Sequence, residues 1–425
     1  MEFYSLNNTK IKASFKDAVI QGIASDKGLF FPKEIKALGK KFWNNIEQYS
    51  NNEIAFNLIE QFVDHIESDD LKQIIEETLN FDFPVVTIEE NIYTLELFHG
   101  PTMAFKDVGA RFMARCLQHF KIENEVTVLV ATSGDTGGAV ANGFLDVANV
   151  NVVILYPKGK VSDIQEKQLT TLGKNITALE VNGVFDDCQD MVKTAFLDTD
   201  ITSKMQLTSA NSINVARWLP QMFYFAFAYK KLKALDKEIV FSVPSGNFGN
   251  ICAAFMTQKL GMPIKTIIAA TNANDVVPKY LENGEYHPQK SVQTISNAMD
   301  VGNPSNFIRI KAIFNNSFRT LKKHLQSYRF SDYETREIIK KIYKKSKYVT
   351  DPHGAVGYLG LKKFGLNNKQ VGVFLETAHP IKFLDVVKPI LNIDVEIPKQ
   401  IKAVMDKQKV AIEINTYDDL KDFLI

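Results

Sequence analysis

Apolar residues recur along the chain with two different periods. Between residues 43 and 66 they stand at every third or fourth position, the spacing that predicts amphipathic helices. From about residue 84 onwards, short runs of apolar and β-branched residues alternate with amphipathic stretches. These runs predict strands at residues 92–98, 126–132, 152–156, 176–181, 239–243, 265–270 and 371–375.

Most of the predicted strands are apolar at nearly every position. Strands of this kind are covered on both faces, as in a parallel sheet with helices packed on either side. Because strands and amphipathic stretches alternate along the chain, we expect an α/β architecture preceded by a mainly helical N-terminal region. The stretch after residue 397 predicts a short appended helix and a strand at residues 410–414.

The charge balance and the cysteines narrow the class of protein. The 425 residues include 50 Lys and Arg against 49 Asp and Glu, and this net charge of +1 argues against nucleic-acid binding. The longest apolar runs, such as residues 126–131, are far shorter than the roughly 20 residues that span a membrane. Cys116, Cys188 and Cys252 match no disulfide or metal motif, and the N-terminus resembles no signal peptide. We therefore expect a soluble cytoplasmic protein, with an enzyme acting on a small molecule as the leading class.

Two glycine-rich turns each follow a predicted strand and precede a predicted helix. They lie at residues 130–138 and 243–250, and such turns can bind a phosphate or carboxylate through backbone N–H groups. A purely structural turn is the alternative, since tight turns often need glycine. Neither turn is a P-loop or a GxGxxG fingerprint, and the chain has no GxSxG elbow or HExxH zinc helix.

A lysine stands at the start of a predicted helix in a third turn, at residues 97–107. Lys106 follows a Gly-Pro turn and precedes the apolar positions Val108 and Phe112. A cation at a helix N-terminus is unfavourable, so this placement lowers the lysine pKa. A lower pKa favours the neutral amine that Schiff-base chemistry needs. The alternative is an ordinary surface lysine whose ammonium reaches solvent.

Taken together, these segments resemble the threonine synthases of the long, bacterial and fungal type. That family is a group of fold-type II pyridoxal-phosphate enzymes related to tryptophan synthase β. The matching motifs run in the family's order over nearly the whole chain. They are FHGPTMAFKD at 98–107, TSGDTGGAV at 132–140, LYPKGKVSDIQ at 155–165, SANSINVAR at 209–217, VPSGNFGN at 243–250, AATNANDVV at 269–277, SNAMDVGNPSN at 296–306 and TAHP at 377–380.

The resemblance implies a pyridoxal-phosphate site. Lys106 would bind the cofactor as a Schiff base, and Thr377 would face the pyridine nitrogen with its hydroxyl. Asp135 would lie near the cofactor 3′-oxygen, where shorter relatives often have an asparagine, so its role is less defined. The cofactor phosphate would be held by the loop residues Gly246, Asn247, Phe248, Gly249 and Asn250.

The resemblance also implies a substrate site. Ser133 and Thr136 belong to the loop that would grip the substrate α-carboxylate. The substrate phosphate would be bound by Asn211, Ser212, Asn214 and Arg217. A planar guanidinium suits phosphate, although a structural salt bridge is the alternative for Arg217.

The activity that the resemblance implies is the conversion of O-phospho-L-homoserine and water to L-threonine and phosphate, the last step of threonine biosynthesis. It implies no metal, nucleic-acid or membrane partner. The expected organisation is a mainly helical region at 1–90, a smaller α/β domain with the Schiff-base lysine at 91–220, and a larger α/β domain with the phosphate loop at 221–425. The alternatives are another fold-type II lyase, such as a serine/threonine dehydratase or a phospho-lyase, and a non-catalytic ligand sensor.

Overall fold

The computed structural model of the chain describes residues 1–120 and 125–425. Its strands, in chain order, are β1 (Phe3–Ser5), β2 (Lys12–Ala13), β3 (Phe30–Pro32), β4 (Val85–Glu89), β5 (Ile92–Glu96), β6 (Val126–Ala131), β7 (Val150–Pro157), β8 (Ile176–Val181), β9 (Gln206–Thr208), β10 (Glu238–Pro244), β11 (Ile264–Thr271), β12 (Leu325–Arg329), β13 (Gln370–Glu376) and β14 (Ile412–Ile414).

The α-helices, in chain order, are α1 (Phe15–Gln21), α2 (Lys40–Asn44), α3 (Asn51–Ile59), α4 (Ser68–Thr78), α5 (Lys106–His119), α6 (Asp135–Gly143), α7 (Asp163–Thr170), α8 (Phe185–Ala195), α9 (Thr199–Thr202), α10 (Val215–Trp218), α11 (Met222–Leu232), α12 (Gly249–Lys259), α13 (Val276–Asn283), α14 (Phe307–Ile313), α15 (Phe318–His324), α16 (Asp332–Ser346), α17 (Pro352–Phe364), α18 (Leu384–Leu391), α19 (Lys399–Met405) and α20 (Tyr417–Leu424). Short 3₁₀ helices lie at Ile46–Gln48, Glu60–Phe62, Leu219–Gln221, Lys233–Leu235, Asn297–Met299 and Pro380–Phe383.

Two sheets of parallel strands form the body of the protein. One has six strands in the order β12-β11-β10-β13-β5-β4, and only β4 runs antiparallel to its neighbour. The other has five strands in the order β14-β8-β7-β6-β9, all parallel. Strands such as β6 and β13 are buried at every position, because helices cover both faces of each sheet. The predicted α/β architecture is present. Each of the seven predicted strands matches an observed strand, with both ends placed to within two residues.

The structure divides the strands differently from the predicted domain boundaries in two places. β5 falls within 91–220 but pairs with β13, so it belongs to the sheet of the C-terminal half. β14 falls within 221–425 but pairs with β8, in the sheet of residues 126–208. An apolar strand pattern reports burial on both faces and carries no information about which sheet buries it. The N-terminal region contains the antiparallel sheet β2-β1-β3 as well as the predicted helices.

The helix α11 lies in the hydrophobic core of the protein. α11 is buried along almost its whole circumference, from Met222 to Tyr229, and it packs against α3 and α12. A helix that is apolar on every side is stable in water only when other elements surround it. Within residues 1–120 and 125–425, no helix combines the length and the apolar character needed to cross a membrane.

Candidate active site

A cavity of about 290 Å³ lies where the carboxyl ends of β6, β10 and β13 meet. One wall is formed by residues that follow β6, and the opposite wall by residues that follow β10 and β13. Open α/β sheets bind their ligands at this end of the strands. Of the residues proposed from the sequence, those lining the cavity are Lys106, Ser133, Asp135, Thr136, Asn211, Ser212, Arg217, Gly246, Asn247, Phe248, Gly249, Asn250 and Thr377.

Lys106 is the first residue of α5, and its backbone is held from two sides. The N–H of Phe105 donates to the carbonyl of Thr377 at 2.8 Å, and the hydroxyl of Tyr224 donates to the carbonyl of Phe105. Burial lowers the pKa of Lys106 to about 8, although the nearby Asp135 carboxylate acts in the opposite direction. The cations of Lys382 and Arg217 contribute to the same net lowering. The side chain is thus placed as a reactive amine and is not an ordinary surface lysine.

The loop after β10 is shaped so that backbone groups border the cavity. Phe248 has a φ of +61°, a left-handed conformation that turns the chain into α12. A Cβ at Gly246 would lie 2.9 Å from the Cα of Met299 and 3.0 Å from the carbonyl oxygen of Ala298, so only glycine fits there. The first N–H groups of α12 have no intrahelical acceptor. The loop therefore offers unpaired donors and a helix N-terminus to an anion.

The segment at 211–217 lies directly against this loop. The hydroxyl of Ser212 accepts hydrogen bonds from the amides of Asn247, at 2.7 Å, and Asn306, at 3.2 Å. A hydroxyl that accepts two bonds still has one proton to donate, so Ser212 remains available as a donor.

Asn214 has a different place from the one predicted. Its side chain caps α10 by accepting from the N–H of Ala216, and its amide donates to the carbonyls of Val19 and Ser209. It is fully buried and does not belong to the cavity lining, so these contacts make it a structural cap. Its spacing within the motif carries no information about which way the amide points.

Arg217 is buried and charged at the cavity wall. Its guanidinium donates to the carbonyl of Ala210, and the Nε atom has no partner among the described residues. Burial lowers the pKa of Arg217 to about 10, so it remains a cation at neutral pH. No carboxylate in the described ranges forms a salt bridge with it, which favours an anion ligand over the structural alternative.

Asp135 is the first residue of α6 and accepts two hydrogen bonds on one oxygen. Lys382 Nζ lies 2.8 Å from Oδ1, and the amide of Gln165 donates to the same oxygen at 3.0 Å. Burial alone would raise the pKa of Asp135, but the cations of Lys382 and Lys106 outweigh it and hold this pKa well below its usual range. Asp135 is therefore a carboxylate beside Lys106.

Two buried groups in or beside the cavity, His353 and Lys382, were not predicted from the sequence. His353 lies at the start of α17, and its Nδ1 is 3.3 Å from the hydroxyl of Thr377. Lys382 lies in the 3₁₀ helix Pro380–Phe383 and is completely buried. Neither belongs to a motif with a ligand or catalytic spacing, because each acquires its neighbours only when distant parts of the chain meet.

The lining fits pyridoxal phosphate. A phosphate needs a cradle without side chains, and a Cβ at Gly246 would fill that cradle. A covalently bound cofactor needs an amine of lowered pKa, which Lys106 provides. The side-chain atoms Nε of Arg217, Oδ1 of Asn211 and Nε2 of His353 are buried in the cavity lining without a hydrogen-bond partner in the described structure. A bound polar molecule would satisfy them.

Comparisons with protein families agree with this fit. The family described as "Pyridoxal-phosphate dependent enzyme" matches residues 84–376. The families "Threonine synthase N terminus" and "Threonine synthase, C-terminal" match residues 2–79 and 354–424. The threonine synthase of Buchnera aphidicola subsp. Acyrthosiphon pisum is 42% identical over 430 residues, covering 100% of both chains. That of Escherichia coli is 41% identical over 403 residues, covering 94% of each chain.

The chain belongs to the threonine synthase family. It is thus a lyase that uses pyridoxal phosphate, as predicted. The crystal structure of threonine synthase from Escherichia coli matches with a TM-score of 0.94 at 38% identity, covering 100% of this chain and 99% of that chain. A threonine synthase from Brucella melitensis, solved with pyridoxal phosphate bound, matches with a TM-score of 0.93 at 32% identity, covering 100% and 98%.

The predicted fold-type II architecture is confirmed by these threonine synthase structures. A threonine deaminase from Solanum lycopersicum also matches, with a TM-score of 0.56 at 17% identity over 77% of this chain and 95% of that chain. At that identity the likeness concerns the fold alone. The dehydratase alternative therefore shares the architecture of this chain, whereas the threonine synthases also share its sequence over nearly the full length.

Proposed function

We propose that this threonine synthase family member converts O-phospho-L-homoserine and water to L-threonine and phosphate. The observation that carries the proposal is the composition of one cavity. It contains the amine of Lys106, a glycine loop suited to a phosphate, and the buried cation of Arg217 suited to a second anion. A cofactor phosphate and a substrate phosphate together require two such sites, whereas a dehydratase substrate without phosphate requires only one.

The cofactor would be held by three parts of the cavity. Lys106 Nζ would bind its aldehyde carbon, the N–H groups of residues 246–250 its phosphate, and the Thr377 hydroxyl would face its ring nitrogen. Ser212 contacts the glycine loop through the Asn247 amide, and its remaining proton would add a donor to the cofactor phosphate. When bound, pyridoxal phosphate supplies an electron-withdrawing ring that stabilises negative charge on the substrate carbons.

Lys106 would also act as the base. When the substrate amine takes its place on the cofactor, the Lys106 Nζ becomes an amine whose lowered pKa allows it to accept the proton of the substrate Cα. Desolvation by the surrounding side chains disfavours the protonated form of this nitrogen. The same amine is placed to return a proton later in the cycle, since it stays tethered at the start of α5.

The substrate would lie between α6 and the 211–217 segment. Ser133 and Thr136 border the cavity at the start of α6, where side-chain and backbone donors suit an α-carboxylate. Arg217 and Asn211 border it on the other side and would bind the leaving phosphate. We assign Asn214 an indirect role, since its cap on α10 holds the backbone that carries Arg217.

We further propose that the protein works in the cytoplasm. The support is chemical: Cys116, Cys188 and Cys252 are all buried free thiols, and burial raises the pKa of Cys188 and Cys252 to about 12. Unpaired structural thiols of this kind suit a reducing compartment.

The test is a comparison of products. The purified protein loaded with pyridoxal phosphate is incubated with O-phospho-L-homoserine, with L-serine and with L-threonine, and inorganic phosphate and ammonia are measured. We expect phosphate from the first substrate and little ammonia from the other two. Ammonia from serine or threonine without phosphate release would overturn the proposal in favour of a dehydratase. The Arg217→Met variant should raise the KM for the phosphorylated substrate, because the guanidinium contact is lost.

A further inference from the structure

The buried ammonium of Lys382 is an unassigned charge next to the reactive amine. Its Nζ contacts Asp135 Oδ1 at 2.8 Å and donates to the carbonyl of Thr102, also at 2.8 Å. The exposed fractions of the Lys382 and Asp135 side chains are 0% and 3%. A buried ion pair costs desolvation energy and needs additional hydrogen bonds to persist.

The geometry shows which cation Asp135 prefers. Lys106 and Lys382 both face the Asp135 carboxylate, yet the salt bridge forms with Lys382. Both donors that contact the carboxylate, Lys382 and Gln165, bind Oδ1. Gln165 is itself fixed, because its side-chain oxygen accepts from the N–H of Ser162 in the capping box of α7.

The charged groups around Lys106 explain why it matters that Asp135 pairs with Lys382 and not with Lys106. Asp135 raises the Lys106 pKa, while Lys382 and Arg217 lower it. His353 also faces Asp135, and burial lowers its pKa, so it adds no positive charge near neutral pH. If Lys382 were absent, Asp135 would have only Lys106 as a neighbouring cation to pair with, and the Lys106 ammonium would be stabilised.

We propose that Lys382 is a positioning residue that sequesters the Asp135 carboxylate and so favours the unprotonated form of the Lys106 amine. The inference rests on the proposed function only in assigning Lys106 as the amine that binds the cofactor. The ion pair of Lys382 and Asp135 is neutral as a whole. It therefore leaves a carboxylate oxygen in the cavity and adds no net charge to the cavity. Lys382 also repels the Lys106 ammonium directly, and it need not touch the cofactor or the substrate.

The test measures the pKa of Lys106 in four full-length proteins: the wild type, Lys382→Met, Asp135→Asn, and the variant with both substitutions. In the cofactor-free proteins, the rate at which an amine-acylating reagent modifies Lys106 is followed from pH 6 to 11 by peptide mass spectrometry. In the cofactor-loaded proteins, the visible absorption band is titrated over the same range.

The two single variants should shift the Lys106 pKa in opposite directions. Lys382→Met should raise it by about one unit or more, the usual effect of an opposite charge within a few ångströms. Asp135→Asn should lower it, because Lys382 is left as an unbalanced cation. The double variant should return towards the wild-type value, because burial alone then sets the pKa. A role confined to folding would destabilise the variants without this pattern of opposed shifts.

Either of two results would overturn the inference: an unchanged Lys106 pKa in folded Lys382→Met, or shifts in the same direction in both single variants. If Lys382→Met does not fold, Lys382→Gln decides the question, because its amide can still donate to Asp135 without carrying a charge. The Lys106 pKa should rise in this variant, and no change would contradict the proposal.

The readout is independent of the substrate. A protein that shows opposed shifts but releases no phosphate from O-phospho-L-homoserine would refute the proposed function and leave this inference standing.

Discussion

The hydroxyl of Thr377 lies 3.3 Å from Nδ1 of His353, and both side chains line the cavity. The same Nδ1 is 3.4 Å from a carboxylate oxygen of Asp351, which caps α17. Burial lowers the pKa of His353 despite the opposing effect of Asp351, so the imidazole is neutral near pH 7. The pair that would face the cofactor ring nitrogen is therefore uncharged, which makes the ring a moderate electron acceptor.

Replacing the Thr377 hydroxyl by a carboxylate should change the protonation of the cofactor ring without changing the phosphate site. In Thr377→Asp, a negative charge beside His353 and the ring nitrogen should stabilise protonated forms of both, and the visible spectrum of the bound cofactor should shift. Affinity of the cofactor-free protein for inorganic phosphate should stay largely the same, since the glycine loop is untouched. The control is Thr377→Ser, which keeps the hydroxyl; an unchanged spectrum in Thr377→Asp would contradict the assignment.

Removal of the amine should abolish both colour and turnover. Lys106→Ala removes the buried amine that would bond the cofactor aldehyde, so the visible absorption band and the phosphate release should be lost together. Lys204→Ala, a change to an exposed lysine outside the cavity, serves as the matched control and should behave like the wild type. A coloured and active Lys106→Ala protein would show that another lysine holds the cofactor.

The rate of cofactor binding should depend on pH through the Lys106 ammonium. Burial lowers its pKa to about 8, and only the unprotonated amine attacks an aldehyde. The initial rate of pyridoxal phosphate binding to the cofactor-free protein should therefore rise about tenfold per pH unit below this pKa and level off above it. Stopped-flow absorbance would measure this profile. A rate that continues to rise towards pH 10 would mean that the amine is not desolvated.

A single methyl group in the phosphate cradle should weaken cofactor binding. In Gly246→Ala the new Cβ would lie 2.9 Å from the Cα of Met299, and relief of such overpacking typically costs about 1–3 kcal/mol. That corresponds to a dissociation constant for pyridoxal phosphate raised by roughly five- to 150-fold. Gly39→Ala is the control, because nothing lies within 4 Å of a Cβ at that position. Equal affinities in the two variants would remove Gly246 from the proposed cradle.

The local parts of the site could be predicted from the sequence. The Lys106 turn and the glycine loop each consist of a strand end, small residues and a helix start, and these features are contiguous in the chain. The parts of the site that depend on tertiary contacts could not be predicted from the sequence. The charge of Lys382 matters only beside Asp135, and the Asn214 amide is held by the carbonyl of Val19, which lies far away in the sequence.

The fold shows the same division. Buried strands could be located from apolar runs, because burial on both faces leaves no polar alternation. The assignment of β5 to the larger sheet could not be predicted, since its partner β13 follows far along the chain. The short strands β9 and β12 contain polar residues at partly exposed positions and give no such signal.

The most direct test of the account is the visible absorption spectrum of the purified, cofactor-loaded protein before and after addition of O-phospho-L-homoserine. We predict an absorption band from the cofactor bound to Lys106, a change in that band on addition of the substrate, and the accumulation of L-threonine and phosphate in the same cuvette. A colourless protein that takes up no pyridoxal phosphate, or a band that O-phospho-L-homoserine leaves unchanged, would contradict it.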